Sequence, residues 1–189
     1  MKKIILIAVS ALLAVSAYAQ PKFAHVNFSE LVQLCPEADA ARETMAASSK
    51  EAQETLQAMV EEFQTKYSQY EQKASTWTDS IRQSKERELT DIQQRIQEFD
   101  QTVNAELQQK QQSLMAPIYE KVNNTVQELA KSGGYVYVFD VSTLLYVDAA
   151  QSTDLTPAAR KTLGIEDGRT LETLQAELQA QQQAQQQAQ

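Results

Sequence analysis

Between Pro36 and Lys131 the chain has no glycine, and Pro117 is the only proline inside that stretch. All four glycines, Gly133, Gly134, Gly164 and Gly168, come later. Histidine and cysteine each occur once, as His25 and Cys35. One of each excludes a Cys/His zinc site, and no Ser/His/Asp or Cys/His nucleophile can be assembled from them. Gly133-Gly134 has neither the spacing nor the lysine of a phosphate loop. The sequence therefore implies no cofactor and no metal, and argues against an enzyme. His25, inside an expected strand, reads as structural. Cys35 cannot form an intramolecular disulfide. It reads as a buried small hydrophobe at a strand-to-helix junction, with a reactive thiol or an intermolecular bridge as the alternative.

Long apolar runs are also scarce. The one present, Ile4 to Val15, follows Met1-Lys2-Lys3 and precedes Ala17-Tyr18-Ala19. A basic start, a short apolar core and small residues at a cleavage site make a secretory signal peptide over 1–19. The run is short for a membrane span, which needs roughly 20 residues. Gln20 stands where a lipoprotein would need cysteine. Without Lys2 and Lys3 the exported chain keeps 15 basic residues against 25 acidic ones, a net charge of −10. Such a surface repels nucleic acid and anionic lipid.

What fills the glycine-free stretch is Ala, Glu, Gln, Lys and Leu, which lose least on entering a helix. Apolar residues recur at spacings of three and four, first from Met45 through Phe63 and Trp77 to Ile81, then from Leu89 through Phe99 and Val122 to Leu129. A period near 3.5 sustained this far predicts a coiled-coil seam. The strand-like segments Phe23–Phe28 and Tyr135–Val141 flank it, and neither is stable alone. If both join one sheet, the helix goes out and returns. An antiparallel helical hairpin is therefore expected over 36–131, with its tip in the polar segment Asp79–Glu88 near Ser84. Equidistance from that tip would put Met59 near Lys110 and Trp77 near Asp91. Pro117 predicts a kink or break.

Asn27 or Ser29 can cap a short helical turn through Leu34, and Pro36 suits the first turn of the long helix. Tyr135–Val141 is almost continuously apolar, which predicts a strand buried on both faces. Ser142-Thr143 then turns into a second strand, Leu144–Asp148, as a hairpin. A short helix follows, capped by Asp154 or Thr156 and ended by Leu163-Gly164. The expected divisions are a body of 20–35 and 132–168, an arm of 36–131, and a Gln-rich tail of 169–189, whose leucines can support a short helix and which is otherwise a frayed helix or disordered. So small a body cannot close its own core, and an oligomer is inferred. Val26, Phe28, Val136, Val138, Leu145 and Val147 are the interface candidates. On the outgoing arm Phe63, Tyr67, Tyr70 and Trp77 either pack across the seam or face outward and offer apolar contact to a partner.

The order and spacing of Phe23-Ala24-His25-Val26-Asn27, Pro36-Glu37-Ala38, Pro117-Ile118-Tyr119-Glu120-Lys121-Val122, Gly134–Asp140, Leu145–Asp148 and Asp154-Leu155-Thr156 with Leu163-Gly164 resembles the Skp/OmpH family of periplasmic chaperones. The resemblance implies a mainly helical α+β fold. Three chains would form a small β-barrel-like trimerisation body, each contributing one antiparallel coiled-coil hairpin arm. It also implies ATP-independent holding of unfolded outer-membrane proteins in the periplasm; the rings on the outgoing arm, Phe63, Tyr67, Tyr70 and Trp77, are then the client-binding candidates. The best-studied members are basic. A charge of −10 argues against lipopolysaccharide as a ligand here. The alternative is a periplasmic coiled-coil adaptor bridging envelope components, which would bind one folded partner.

Overall fold

The computed structural model describes residues 21–187, and the expected export signal over 1–19 lies outside them. The order is β1 (Lys22–Val26), α1 (Phe28–Leu34), α2 (Pro36–Lys73), α3 (Asp79–Gly133), β2 (Tyr135–Asp140), β3 (Ser152–Asp154), α4 (Thr156–Leu163) and α5 (Leu171–Gln187). Two compact units result. One takes the described residues up to Pro36 and from Ile118 onward; the other is Glu37–Pro117.

In the first unit β1 is the centre of a three-stranded sheet in the order β2-β1-β3. Both pairings are parallel, with Phe23 opposite Tyr137 and Ser152, and His25 opposite Phe139 and Asp154. Parallel neighbours need crossover connections, so β1 and β2 are separated by the whole of α1, α2 and α3. Side chains alternate across the sheet. Ala24 and Val26 point to one face, where they are buried. With them in the core are Leu31, Val32, Leu34 and Cys35, then Ile118, Val122 and Val126 of α3, then Leu155, Ala159, Leu163 and Ile165.

Local chemistry sets the ends of these elements. Asn27 caps α1, its Oδ1 accepting from Glu30 N–H at 3.1 Å while its Nδ2 donates to the Glu30 carboxylate at 3.1 Å. Such a cap contributes about 1 kcal/mol. The Asn27 N–H donates to Thr156 Oγ1 at 3.0 Å, and Leu155 N–H donates to the His25 carbonyl at 2.9 Å, which docks α4 on the sheet. Leu155, rather than Asp154 or Thr156, occupies the cap position of α4, and Asp154 Oδ1 accepts from Thr156 N–H at 2.8 Å. Gly164, at φ +74°, closes that helix in the left-handed conformation that favours glycine. Arg160 donates to Glu30 Oε1 at 2.5 Å and to the carbonyls of Glu166 and Arg169 at 2.9 and 2.6 Å. It thereby joins α1, α4 and the segment leading to α5.

Two expectations for the strands of this unit change. Leu144–Asp148 is not a strand, and no hairpin forms with β2. The Asp140 carboxylate accepts from Ser142 N–H at 3.1 Å and starts a 3₁₀ turn, Val141–Thr143, that ends β2. The third strand is instead the polar Ser152–Asp154, which has no apolar pattern to announce it. β2 is not buried on both faces either. It is a sheet edge within one chain, with Val136 56%, Tyr137 59% and Phe139 42% exposed. Of the two readings of the Gln-rich end, helix or disorder, the structure has the helix, α5, which lies against α1 with Leu174 buried. Thr170 and Thr173 start it, each accepting from the other's N–H.

In the second unit α2 ends at Lys73, and a 3₁₀ turn, Ala74–Thr76, leads through Trp77 and Thr78 to α3. The turn, centred on Thr76, is thus about eight residues earlier than the midpoint near Ser84. Ser75-Thr76-Trp77-Thr78-Asp79 is a cluster of capping residues. Thr76 Oγ1 donates to the Lys73 carbonyl at 2.7 Å, and Thr78 O accepts the first helical bond, from Arg82 N–H, at 2.9 Å. Cross-helix pairs shift with it. Glu88 accepts from Lys66, Tyr70 Oη donates to Glu86 at 2.6 Å, Arg95 reaches Glu62 at 3.3 Å, and Lys110 reaches Ser48 at 2.5 Å. Lys110 therefore meets Ser48, not the neighbourhood of Met59, and Trp77 meets the Tyr70 ring. No break occurs at Pro117, and α3 runs through it. Ser113, whose carbonyl loses its partner there, is exposed, as is Pro117, so water can take that bond.

Candidate functional site

Two apolar surfaces stand out, one in each unit. In Glu37–Pro117 only Ala38, Ala41 and Ile92 are buried among the described residues. The large side chains consequently stay partly in water. Phe63 and Tyr67 stack with centroids 5.9 Å apart, and Tyr70 and Trp77 meet edge-on at 6.0 Å. Tyr67 is 46% exposed; Phe63, Tyr70 and Trp77 are half-buried. The four candidate rings thus form two consecutive pairs toward the turn.

Beside them lies a charged cluster. Glu88 is held down to about 2 by hydrogen bonds from Lys66 and Lys85, and Lys66 is raised, chiefly by the same bond to Glu88. The Tyr70 phenol is raised as well, first by its hydrogen bond to Glu86. Farther from the turn, Phe99, Val103 and Leu107 face Ser48, Ala52 and Thr55 across an open cleft of about 280 Å³. Sequence reading missed these three, treating them as ordinary seam positions. The signal was the run of small residues on α2 that cannot cover them.

In the sheet unit the second surface is aromatic. Phe23 and Tyr137 stack at 6.3 Å, and Tyr137 and Phe139 lie 6.0 Å apart. Alternation puts all three opposite the buried Ala24 and Val26. Leu145 is fully exposed and Tyr146 80% exposed, in the segment that forms no strand. Val136 is exposed, while Val138 and Val147 are half-buried. Phe28, also half-buried, stacks on Tyr119 at 6.3 Å. Val26 offers nothing to a second copy, since only 3% of it is exposed and it packs in its own core. Tyr137 and Phe139 were missed because Tyr135–Val141 was read as a central strand, and Tyr146 because Leu144–Asp148 was read as a strand with Leu145 and Val147 facing the interface.

His25 Nδ1 lies 2.8 Å from Ser152 Oγ, a cross-strand link. Cys35 is buried. Among the described residues no cluster of His, Cys, Asp or Glu is arranged to hold a metal ion, and no helix is long and apolar enough to cross a membrane.

A small parallel sheet and long helices, each with uncovered apolar surface, define a protein suited to binding other polypeptides. The chain belongs to the OmpH-like family, whose model, described as outer membrane protein (OmpH-like), matches residues 22–163. It is 28% identical over 140 residues to the chaperone protein Skp of Yersinia enterocolitica, covering 74% of this chain and 85% of that one. Its fold is similar to the crystal structure of a candidate outer membrane chaperone (OmpH-like) from Caulobacter crescentus CB15. There the TM-score is 0.68 at 14% identity, over 77% of this chain and 85% of the other. α5 lies beyond the family match.

Proposed function

We propose that the protein is an ATP-independent holding chaperone of the periplasm. It binds unfolded outer-membrane proteins and keeps them from aggregating on their way to the outer membrane. The observation that carries this reading is the unsatisfied apolar surface of Glu37–Pro117, where Ile92 is the only large side chain buried among the described residues. A helical pair so poor in core is soft, and its half-exposed rings can meet many sequences weakly. Contacts of that kind suit clients that share no motif.

The cross-helix pairs from Lys66–Glu88 to Ser48–Lys110 descend on α2 as they ascend on α3, and we read the two as one antiparallel arm. The aromatic sheet face and Leu145 are the surface through which three copies assemble into a barrel-like body, which also covers the edge at β2. Weak contacts on three arms then add through avidity. Co-purification from an envelope extract tests this function. It should return outer-membrane barrels of several kinds; one folded partner in fixed stoichiometry would identify an adaptor instead.

A further inference from the structure

The cleft in the helical unit is a place where α2 and α3 are unequal. Across the cleft from Phe99, Val103 and Leu107 stand Ser48, Glu51, Ala52 and Thr55. Protein interiors ordinarily close to crystal-like density. Here the small side chains leave about 280 Å³ open, and the three apolar walls stay half-buried. That volume lies just under the roughly 300–1,000 Å³ of small-ligand pockets, enough to admit one large side chain but not a folded surface.

Charge around the cleft is predominantly acidic, with Lys50 and Lys110 as the cations nearest it. Between Glu51 and Thr65 α2 carries Glu51, Glu54, Glu61 and Glu62 and no cation. Between Ile96 and Gln109 α3 carries Glu98, Asp100 and Glu106 and no cation. Glu62 is engaged by Arg95 and Lys66, and Glu54 by Lys50 at 3.7 Å. Glu51 and Glu106 line the cleft itself, and both are exposed. Lys110 also lines the cleft, where it donates to Ser48 Oγ and leaves the two lining carboxylates in excess by one charge. A bound segment would lie within one Debye length, about 8 Å at physiological salt, of these carboxylates.

We propose that this cleft seats one large apolar side chain of an unfolded client where Lys or Arg flank that side chain. The inference rests on the holding function above and names the client segments that this acidic chain selects. An apolar segment flanked by Asp or Glu would bring the same side chain but meet repulsion at Glu51 and Glu106.

Fluorescence anisotropy of the full mature chain with two labelled, unstructured peptides tests it. The peptides share Phe and Leu positions, and one carries Lys where the other carries Glu. The Lys peptide should bind about fivefold tighter or more at low salt, with the ratio shrinking toward one as salt screens it. Ala52→Leu, which fills the cleft with a good helix former, should weaken the Lys peptide about tenfold. Glu51→Gln with Glu106→Gln leaves the cleft open and should lower the preference about threefold, with helicity by circular dichroism unchanged. Equal binding of the two peptides overturns the proposal, as does a preference that neither variant alters. Suppression of barrel aggregation, measured in parallel, separates the two levels. Suppression without peptide preference removes the cleft assignment and leaves holding. No suppression at all removes both.

Discussion

Ile92→Ala should melt the helical unit while the sheet unit stays folded. Ile92 is 1% exposed, and the other buried residues of Glu37–Pro117 are alanines. Truncating a buried isoleucine to alanine costs roughly 2–5 kcal/mol. The ion pairs among Glu62, Lys66, Lys85, Glu88 and Arg95 are surface interactions worth about 0–1 kcal/mol each, so they cannot replace it. The sheet unit keeps Leu31, Leu34 and Val122, all without exposure. Trp77, the only tryptophan in the chain, sits at the turn between α2 and α3. Its fluorescence in urea therefore follows the helical unit, and hydrogen exchange of the β1 amides follows the sheet. At a slope of about 2 kcal/mol/M, a loss of about 3 kcal/mol moves the Trp77 midpoint down by about 1.5 M. Protection of β1 should not change. Equal loss of β1 protection, or one coincident transition by both probes, would refute the reasoning.

The same fluorescence reads the acid side. The Glu88 carboxyl is lowered from 4.5 to about 2, so its stabilising contribution is present above about pH 4.5 and is lost as pH falls toward 2. The Trp77 midpoint should drop over that window, and Glu88→Gln should flatten that part of the profile. Leu145→Asp tests assembly. Leu145 is fully exposed in one chain, so the change should leave protomer stability nearly untouched yet yield monomers by light scattering at micromolar concentration. A wild-type chain that is itself a folded monomer there would overturn the assembly.

The periodic part of the fold was the most legible. Helix starts at Phe28 and Pro36, and the stop at Gly133-Gly134, follow from capping chemistry and glycine placement. The turn was misplaced because the midpoint argument and the polarity of Asp79–Glu88 took no account of the capping residues at Ser75, Thr76, Thr78 and Asp79. β3 was illegible for another reason. Ser152–Asp154 is polar, and only its pairing with β1 makes it a strand. Leu144–Asp148 has the opposite character, apolar in sequence yet unpaired, because the Asp140 side chain turns the backbone first. The candidate rings Phe63, Tyr67, Tyr70 and Trp77 were legible as residue types at helical spacing. Which side chains would stay half-exposed depended on the cross-helix register, which no local pattern fixes. The same holds for Phe99, Val103 and Leu107, whose exposure is decided by the small residues opposite.

The most direct measurement dilutes a urea-unfolded outer-membrane barrel into buffer containing increasing amounts of the mature chain, without nucleotide, and follows light scattering. Scattering should fall to baseline near one oligomer per barrel. The variant Tyr67→Ser, Tyr70→Ser, Trp77→Ser should hold less well while its assembly is unchanged. Scattering that rises as though the chain were absent, or that falls only when ATP is added, would contradict the account.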